Sequence, residues 1–437
     1  MVVASATESV RGAILALVTS QTLDSEPACP PAAVPAIGST ALADTSPTSS
    51  AGPISAGQTG PALVVRQVPF GDVPRAPWDA LASRTPAATP FSHWAFQRAW
   101  WDAYGAGAHD QTLLVERAGA PAGSAPVAIV PLMHRHEVEP TDDEARSTIR
   151  HGGDPALTPV PPTAKAVFFG ASYHADYATV LAAPEDLPAV ARALVVHLSD
   201  PVGASESHPV PWDAVDLRRL RCADPAADAL DVAFSEAAPS RGWTVVREQE
   251  DVCPVVTVPE GVDFEGYLDT LEKKSRHEIR RKMRRAEAVG EVVLTGSVDP
   301  LADLDAFIDL HQRKWGDLGL FPPTPGGAAS RVFIRRLFEE FGADGPVRLS
   351  FLTVGGRRVA AGIHIDDGES YLYYNAGVDP DARELSPGVI MVARYVAAAI
   401  AAGRRRLDFL RGNESYKYEW GAVDEPIQRI LVRRSGS

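Results

Sequence analysis

The sequence predicts an α/β (α+β) fold of two tandem units, each a mixed, mostly antiparallel sheet flanked by helices, behind a disordered N-terminal tail. Three observations carry this. Apolar runs of strand length alternate with segments of helical periodicity from about residue 61 to the end. Gly355-Gly356 and Asp367-Gly368 each join two strand-like runs by a tight turn, which pairs neighbours antiparallel. Residues 1–60 are rich in Ala, Ser, Thr and Pro and contain no aromatic residue. Such a segment cannot bury enough apolar area to offset its ordering entropy. The expected divisions are a tail over 1–60, a first unit over 61–248 and a second, catalytic unit over 249–437.

Composition bounds the function. At 437 residues the chain can bury full cores. A formal net charge of -14 argues against a general nucleic-acid binder. Cys29, Cys222 and Cys253 are far apart and form no CxxC, which predicts neither a disulfide framework nor a zinc site and favours a reducing compartment. Arg11–Gln21 is the one signal-like stretch, but its apolar core is short, Glu8 precedes it and no small-x-small cleavage site follows closely. No run approaches the roughly 18 apolar residues of a membrane span. The expected location is cytoplasmic.

In the first unit, "ALVVRQVPF" is a strand. "TPFSHWAFQRAWWDAYG" is a helix with Phe91, Trp94, Ala95, Ala99, Trp100 and Tyr104 on helical spacing, its aromatics assigned to core packing. "DQTLLVERAG" and "APVAIVPLMHRH" are neighbouring strands, with His134 and His136 expected on the surface. Residues 137–163 are a loop insertion. "KAVFFG", "YATVLAAP", a helix at about 185–199, the strand "WDAVDLRRL", a helix at about 224–240 and "GWTVVREQE" follow.

The second unit opens with the strand "VCPVVTV" and one helix over "DFEGYLDTLEKKSRHEIRRKMRRAEAVG" ending at Gly290. The strand "EVVLTGSV" leads to "DPLADLDAFIDLHQRKWGDLG", with Asp299 as N-cap and Pro300 at the first helical position. A helix at about 329–342 precedes the strands "VRLSFLTV", "RRVAAGIHID" and "SYLYYNAGV". A helix at 387–402, the strand "RLDFL", a short helix "ESYKYEW" and the strand "IQRILVRR" close the chain.

This order, carrying "SRHEIRRKMRRAE", "LHQRKWGDLGLF", "YLYYNAGVDP", "SPGVIMVARYVAAAI" and "DFLRGNESYKYEWGA", resembles the acyltransferase fold of the GNAT superfamily. More narrowly it is similar to the CelD/BcsL-type acetyltransferases and their FemAB-like relatives, which carry two such units in tandem. The resemblance implies an acyl-CoA donor, acetyl-CoA among them, and no metal.

It also implies places for the parts. The donor pyrophosphate is held at a helix N-terminus, here Ser386, Gly388 and Val389, where Ser386 can cap and Gly388 admits a ligand. The usual pattern has several glycines and a basic residue at this turn, whereas "SPG" has one glycine and no Arg or Lys. The strand "YLYYNAGV" matches the one that offers a backbone N–H to the thioester oxygen, with Tyr373, Tyr374 and Asn375 also able to line the acceptor pocket. A tyrosine on the last helix protonates the departing thiolate, for which Tyr416 is favoured over Tyr418. Read from the residues themselves, Asp408, Glu414 and Lys417 are acid/base or orienting candidates. Arg411 is suited to clamping a carboxylate or phosphate.

One stretch stands against the overall charge. Between Lys273 and Arg285 lie eight Lys/Arg and one Glu, about +7, leaving about -21 for the remainder. Its apolar stripe is too thin for a membrane-surface helix, and an ordinary solvated face mixes signs, so the expected role is to bind a large anionic substrate. Arg276, Arg280 and Arg284 share one face, and His311, Lys314 and Trp315 on the next helix add cations beside an indole. The expected activity is N-acyl transfer to an amine, with an amino sugar or cell-envelope precursor as the acceptor class the resemblance implies. Two alternatives stay open: FemAB-like aminoacyl transfer from tRNA to a peptide amine, and a non-catalytic carbohydrate- or RNA-binding module.

Overall fold

The computed structural model describes residues 62–121, 123–135, 157–161, 164–171, 174–199, 212–316 and 319–434. The expected tail over 1–60, His136 and most of the predicted insertion lie outside them.

Among the described residues the first half comprises β1 (Leu63–Gln67), α1 (Arg75–Ala82), α2 (Trp94–Tyr104), β2 (His109–Asp110), β3 (Leu113–Arg117), β4 (Ala128–Val130), β5 (Leu132–Arg135), β6 (Ala166–Phe169), β7 (Leu181–Ala182), α3 (Leu187–Ser199), β8 (Ala214–Arg221) and α4 (Pro225–Arg241). Strand β9 (Trp243–Thr257) follows. Then come α5 (Phe264–Thr270), α6 (Lys273–Glu287), β10 (Val292–Gly296), α7 (Pro300–Trp315), α8 (Pro325–Phe341), β11 (Val347–Val354), β12 (Arg357–Asp366), β13 (Ser370–Val378), α9 (Pro387–Ala401), β14 (Arg406–Asp408), α10 (Ser415–Tyr418) and β15 (Val423–Arg434).

The strands form a small sheet, β1-β3-β4-β7, and a large one, β10-β11-β12-β13-β14-β9-β15-β8-β6-β5-β2. All pairs are antiparallel except β6 with β8 and β13 with β14. Each parallel pair belongs to the same chain path: strand, helix, parallel strand, helix, strand. The path runs β6-α3-β8-α4-β9 in the first half, with β7 of the small sheet inserted before α3, and β13-α9-β14-α10-β15 in the second. The closing strands are exchanged, since β9 pairs with β14 and β15 pairs with β8, while β9 and β15 pair with each other.

Local chemistry explains most elements. The hairpin turns form as predicted: Gly355 and Gly356 both take positive φ, 57° and 80°, which a side chain would resist. Asp299 caps α7 through Ala302 N–H, and Pro300 fills the first turn, where no N–H is needed. Helix α2 is core, as its spacing suggested. Phe96 meets Phe333 of α8 edge-on at 5.4 Å, and Trp100 is fully buried.

Several expectations are corrected. "APVAIVPLMHRH" is not one strand, because Pro131 separates β4 from β5 and the two join different sheets. His134 is buried, not exposed, with its ring stacked on His109 at 4.5 Å. "GWTVVREQE" and "VCPVVTV" are a single strand, β9, because the ladder with β15 continues through Asp251, which pairs with Ile427. The long basic helix breaks where Leu271 turns extended and buries its side chain, so that α5 and α6 are separate. Cys253 is a buried free thiol. No helix among the described residues is long and apolar enough to cross a membrane.

Candidate active site

The site begins where two strands part. β13 and β14 pair only through Ser370–Leu372 and Arg406–Asp408, although β13 continues to Val378. Beyond Leu372, the β14-facing edge of β13 has no ladder partner among the described residues. A bulge bends β13 at the same place: Ile363 pairs with Asn375 and His364 with Tyr373, which leaves Tyr374 as the extra residue.

The opening is a cavity of about 410 Å³. Tyr373, Tyr374 and Asn375 line it from β13, His311, Lys314 and Trp315 from the end of α7, and Arg411, Glu414, Tyr416 and Lys417 from beyond β14. Nine predicted site residues thus meet in one place, Tyr374, Asn375, His311, Lys314, Trp315, Arg411, Glu414, Tyr416 and Lys417. Helix α7 reaches the cavity because Gly377 has no side chain. A Cβ there would sit 2.3 Å from the His311 amide nitrogen. His311 is buried against Phe321, at 5.0 Å between rings, while the Lys314 ammonium lies 4.3 Å above the Trp315 indole.

The loop after β14 is held by its own charges. Asp408 does not line the cavity; it is buried beneath it, accepting from Tyr177 Oη at 2.7 Å and from Leu410 N–H at 2.8 Å. Burial pushes its carboxyl up to about 6, against the lowering effect of those two hydrogen bonds. The Lys417 side chain is 2% exposed. Its ammonium donates to the carbonyls of Leu410, Arg411 and Gly412 at 3.1, 2.9 and 2.8 Å and pairs with Glu414 at 2.9 Å. Leu410 itself is left-handed, with φ 57°. Arg411 turns inward to pair with Asp176 at 2.5 Å. Tyr416, by contrast, is 40% exposed at the mouth, with its ring edge-on to Phe409.

Ser386, Gly388 and Val389 stand apart from this cavity, at the start of α9. Ser386 does not cap. Its backbone is left-handed, φ 54°, and its hydroxyl oxygen accepts instead from Arg285 Nη2 at 2.7 Å. A basic side chain from the end of α6 thus stands beside the "SPG" turn. A Cβ on Gly388 would meet only Val378 at 4.0 Å, so the space before this turn is open.

The cationic helix divides. Arg276 and Arg280 face α5, where Asp269 pairs with both and Glu265 with Arg280. Arg281 and Lys282 pair with Glu278. Arg284 is exposed, and none of the three predicted arginines lines the cavity. Two cavity carboxylates, Asp176 and Asp251, were not singled out in the sequence. Neither sits in a recognisable motif, and only the fold brings them to the loop after β14. No cluster of three or more His, Cys, Asp or Glu able to hold a metal is found among the described residues.

Residues 273–418 match the family model "Acetyltransferase (GNAT) domain". No curated protein matches the chain. Among solved structures, the chain is similar to FemX at 11% identity and a TM-score of 0.50, covering 84% of this chain and 96% of that one. That likeness shows a shared fold. A conserved protein of unknown function from Bacteroides thetaiotaomicron aligns at 14% identity and a TM-score of 0.48, over 83% of this chain and 98% of that one. A tandem GNAT protein from the clavulanic acid biosynthesis pathway aligns at 10% identity and a TM-score of 0.44, over 86% and 99%.

Proposed function

We propose that this chain is an N-acyltransferase that moves an acyl group from acyl-CoA to an amine. The observation that carries the reading is the parting of β13 from β14 over a polar, aromatic-walled cavity, within the segment that matches the acetyltransferase domain. Strand β13 joins the two parts of the reaction. Its end meets Gly388 at the start of α9, where the Gly388 N–H and Arg285 suit the donor's phosphates. Its middle borders the cavity, where an unpaired backbone N–H can stabilise the thioester oxyanion, an effect worth about 2.7–4 kcal/mol. The acceptor enters on the Trp315 side. The CelD/BcsL-type resemblance favours an amino sugar or cell-envelope amine, and the open cavity mouth accommodates a ligand larger than the amine itself.

In this reading Tyr416 returns a proton to the departing thiolate. It is exposed at the cavity, whereas Tyr418 donates its hydroxyl to Asp424 at 2.7 Å. Tyr416→Phe is expected to lower kcat about 10²-fold or more with acetyl-CoA affinity unchanged. Thiol release from acetyl-CoA in the presence of amines tests the function, and release in the wild type no faster with amines than without them would refute it.

A further inference from the structure

Among the described residues three carboxylates line the cavity, and two of them are already neutralised: Asp176 by Arg411, and Glu414 by Lys417. Asp251 is different. Among the described residues it has no ion pair, and its side chain accepts one hydrogen bond, from Val252 N–H at 2.8 Å. A carboxylate has about four acceptor sites, so most of its capacity faces the cavity unused.

The placement is built by the strand. On β9, Asp251 pairs with Ile427, but the next partner of β15, Gln428, pairs with Gln249. Glu250 is therefore a bulged residue, and bulges re-aim the side chains beside them. Glu250 is buried, where it binds the Arg219 guanidinium and accepts from Arg219 N–H at 2.8 Å. That buried ion pair fixes the bulge and leaves Asp251 at the cavity wall, on a rigid strand central to the sheet.

We infer that Asp251 is the general base of the acyl transfer, accepting the proton that a protonated primary amine must lose before it attacks. The inference rests on the acyltransferase reading and adds to it the residue and the charge state of the acceptor. The acceptor arrives as an ammonium, attracted by the one cavity carboxylate among the described residues that has no ion pair, beside rings that tolerate a cation, Tyr373, Tyr374 and Trp315. Asp251 takes one N–H proton and passes it to solvent. The amine nitrogen then bonds to the thioester carbon, and the C–S bond breaks. Tyr416 gives its hydroxyl proton to the departing thiolate, and the second N–H proton, lost from the nitrogen once the new bond has formed, restores the Tyr416 hydroxyl. The sum is an amide, a thiol and one released proton.

The charges around Asp251 suit the task. Burial raises its carboxyl pKa; Val252 N–H, Arg411 and Arg219 pull it down, Asp176 pushes it up, and the net direction is upward. Tyr418 of α10 is close enough to feel its charge. A base needs the deprotonated form, so activity should rise with pH through a value above the ordinary aspartate range of about 4.

The test uses the full chain with acetyl-CoA and three acceptor probes, glucosamine, spermidine and a lysine peptide. Asp251→Asn is expected to lower kcat/KM for the amine about 10²–10⁴-fold and to abolish the acid limb of the pH profile, with KM for acetyl-CoA and melting temperature retained. Asp251→Glu should restore part of the rate and the limb. An active wild type whose Asn variant keeps its rate within twofold and the same acid limb would overturn the inference while leaving the acyltransferase reading intact. A wild type that transfers acetyl to none of the three probes while failing to bind acetyl-CoA would defeat that reading, and this inference with it. Acetylation of hydroxyl analogues in preference to the amines would overturn the ammonium as the acceptor that Asp251 attracts.

Discussion

Arg429→Met will destabilise the fold by about 3 kcal/mol or more, because it strips a buried carboxylate of one of its two counter-ions. Arg429 is 1% exposed on β15. It makes a two-pronged contact with Asp216 of β8 at 2.6 and 2.9 Å, and bonds Glu248 of β9 at 2.9 Å and the Thr158 carbonyl at 2.7 Å. Burial alone would raise the Asp216 pKa, yet Arg218 and Arg429 together hold it below its ordinary value. A folded-state pKa that is depressed stabilises above the unfolded value and loses that contribution as pH falls through the folded one. The gap between wild type and variant should therefore be full at neutral pH and should shrink below about pH 4. Denaturant melts at pH 7 and at pH 3.5 check both parts; equal gaps at the two values would show that the carboxylate charge is not the cause. Since Arg429 joins three strands where the exchanged strands meet, cooperativity between the halves should also weaken.

Lys417→Met should remove acyl transfer, by about 10²-fold or more, through geometry instead of proton chemistry. The Lys417 ammonium satisfies three loop carbonyls and Glu414. A thioether of similar length fills the space and donates nothing, and each buried acceptor left unpaired costs about 1–3 kcal/mol. Leu410, in its left-handed conformation, is then free to relax, carrying Arg411 and the cavity wall with it. Acetyl-CoA binding at α9 should persist, because Ser386 and Gly388 depend on α6 and not on this loop. Calorimetry of acetyl-CoA together with steady-state kinetics separates the two effects. A variant with normal kcat would mean the clamp does not shape the site.

Sequence patterns revealed much of the second half because turns and caps are written locally. Gly355-Gly356, Asp367-Gly368 and Asp299-Pro300 each have a conformational reason independent of the rest of the chain. The polar run after "LDFL" was legible for a similar reason, as buried strands rarely end in so many charged and aromatic residues unless an opening lies there. What stayed hidden depends on pairing. The bulge at Glu250 exists only because β15 lies beside β9, so Asp251 resembled an ordinary strand-end charge. The counter-ions of Arg276 and Arg280 lie on α5, across a break at Leu271 that no Gly or Pro announces. His134 sits at the end of a strand in sequence but beneath His109 in space. Arg285 came to Ser386 from a hundred residues away, so the apparent lack of a basic residue at that turn was a property of the local segment alone.

The central claim is that the start of α9 receives the phosphates of acyl-CoA and passes the thioester along β13 to the cavity. Calorimetric titration of acetyl-CoA into wild type and Gly388→Val tests it most directly, followed by titration of aminoacyl-tRNA into the wild type. Because Gly388 has only Val378 near its missing Cβ, at 4.0 Å, the valine should be tolerated by the fold and obstruct only an approaching ligand. The expected result is saturable binding of acetyl-CoA to the wild type and affinity at least tenfold weaker in the variant, with equal melting temperatures. Equal acetyl-CoA affinity in the two proteins, or binding of the aminoacyl-tRNA with none of acetyl-CoA, would contradict the claim.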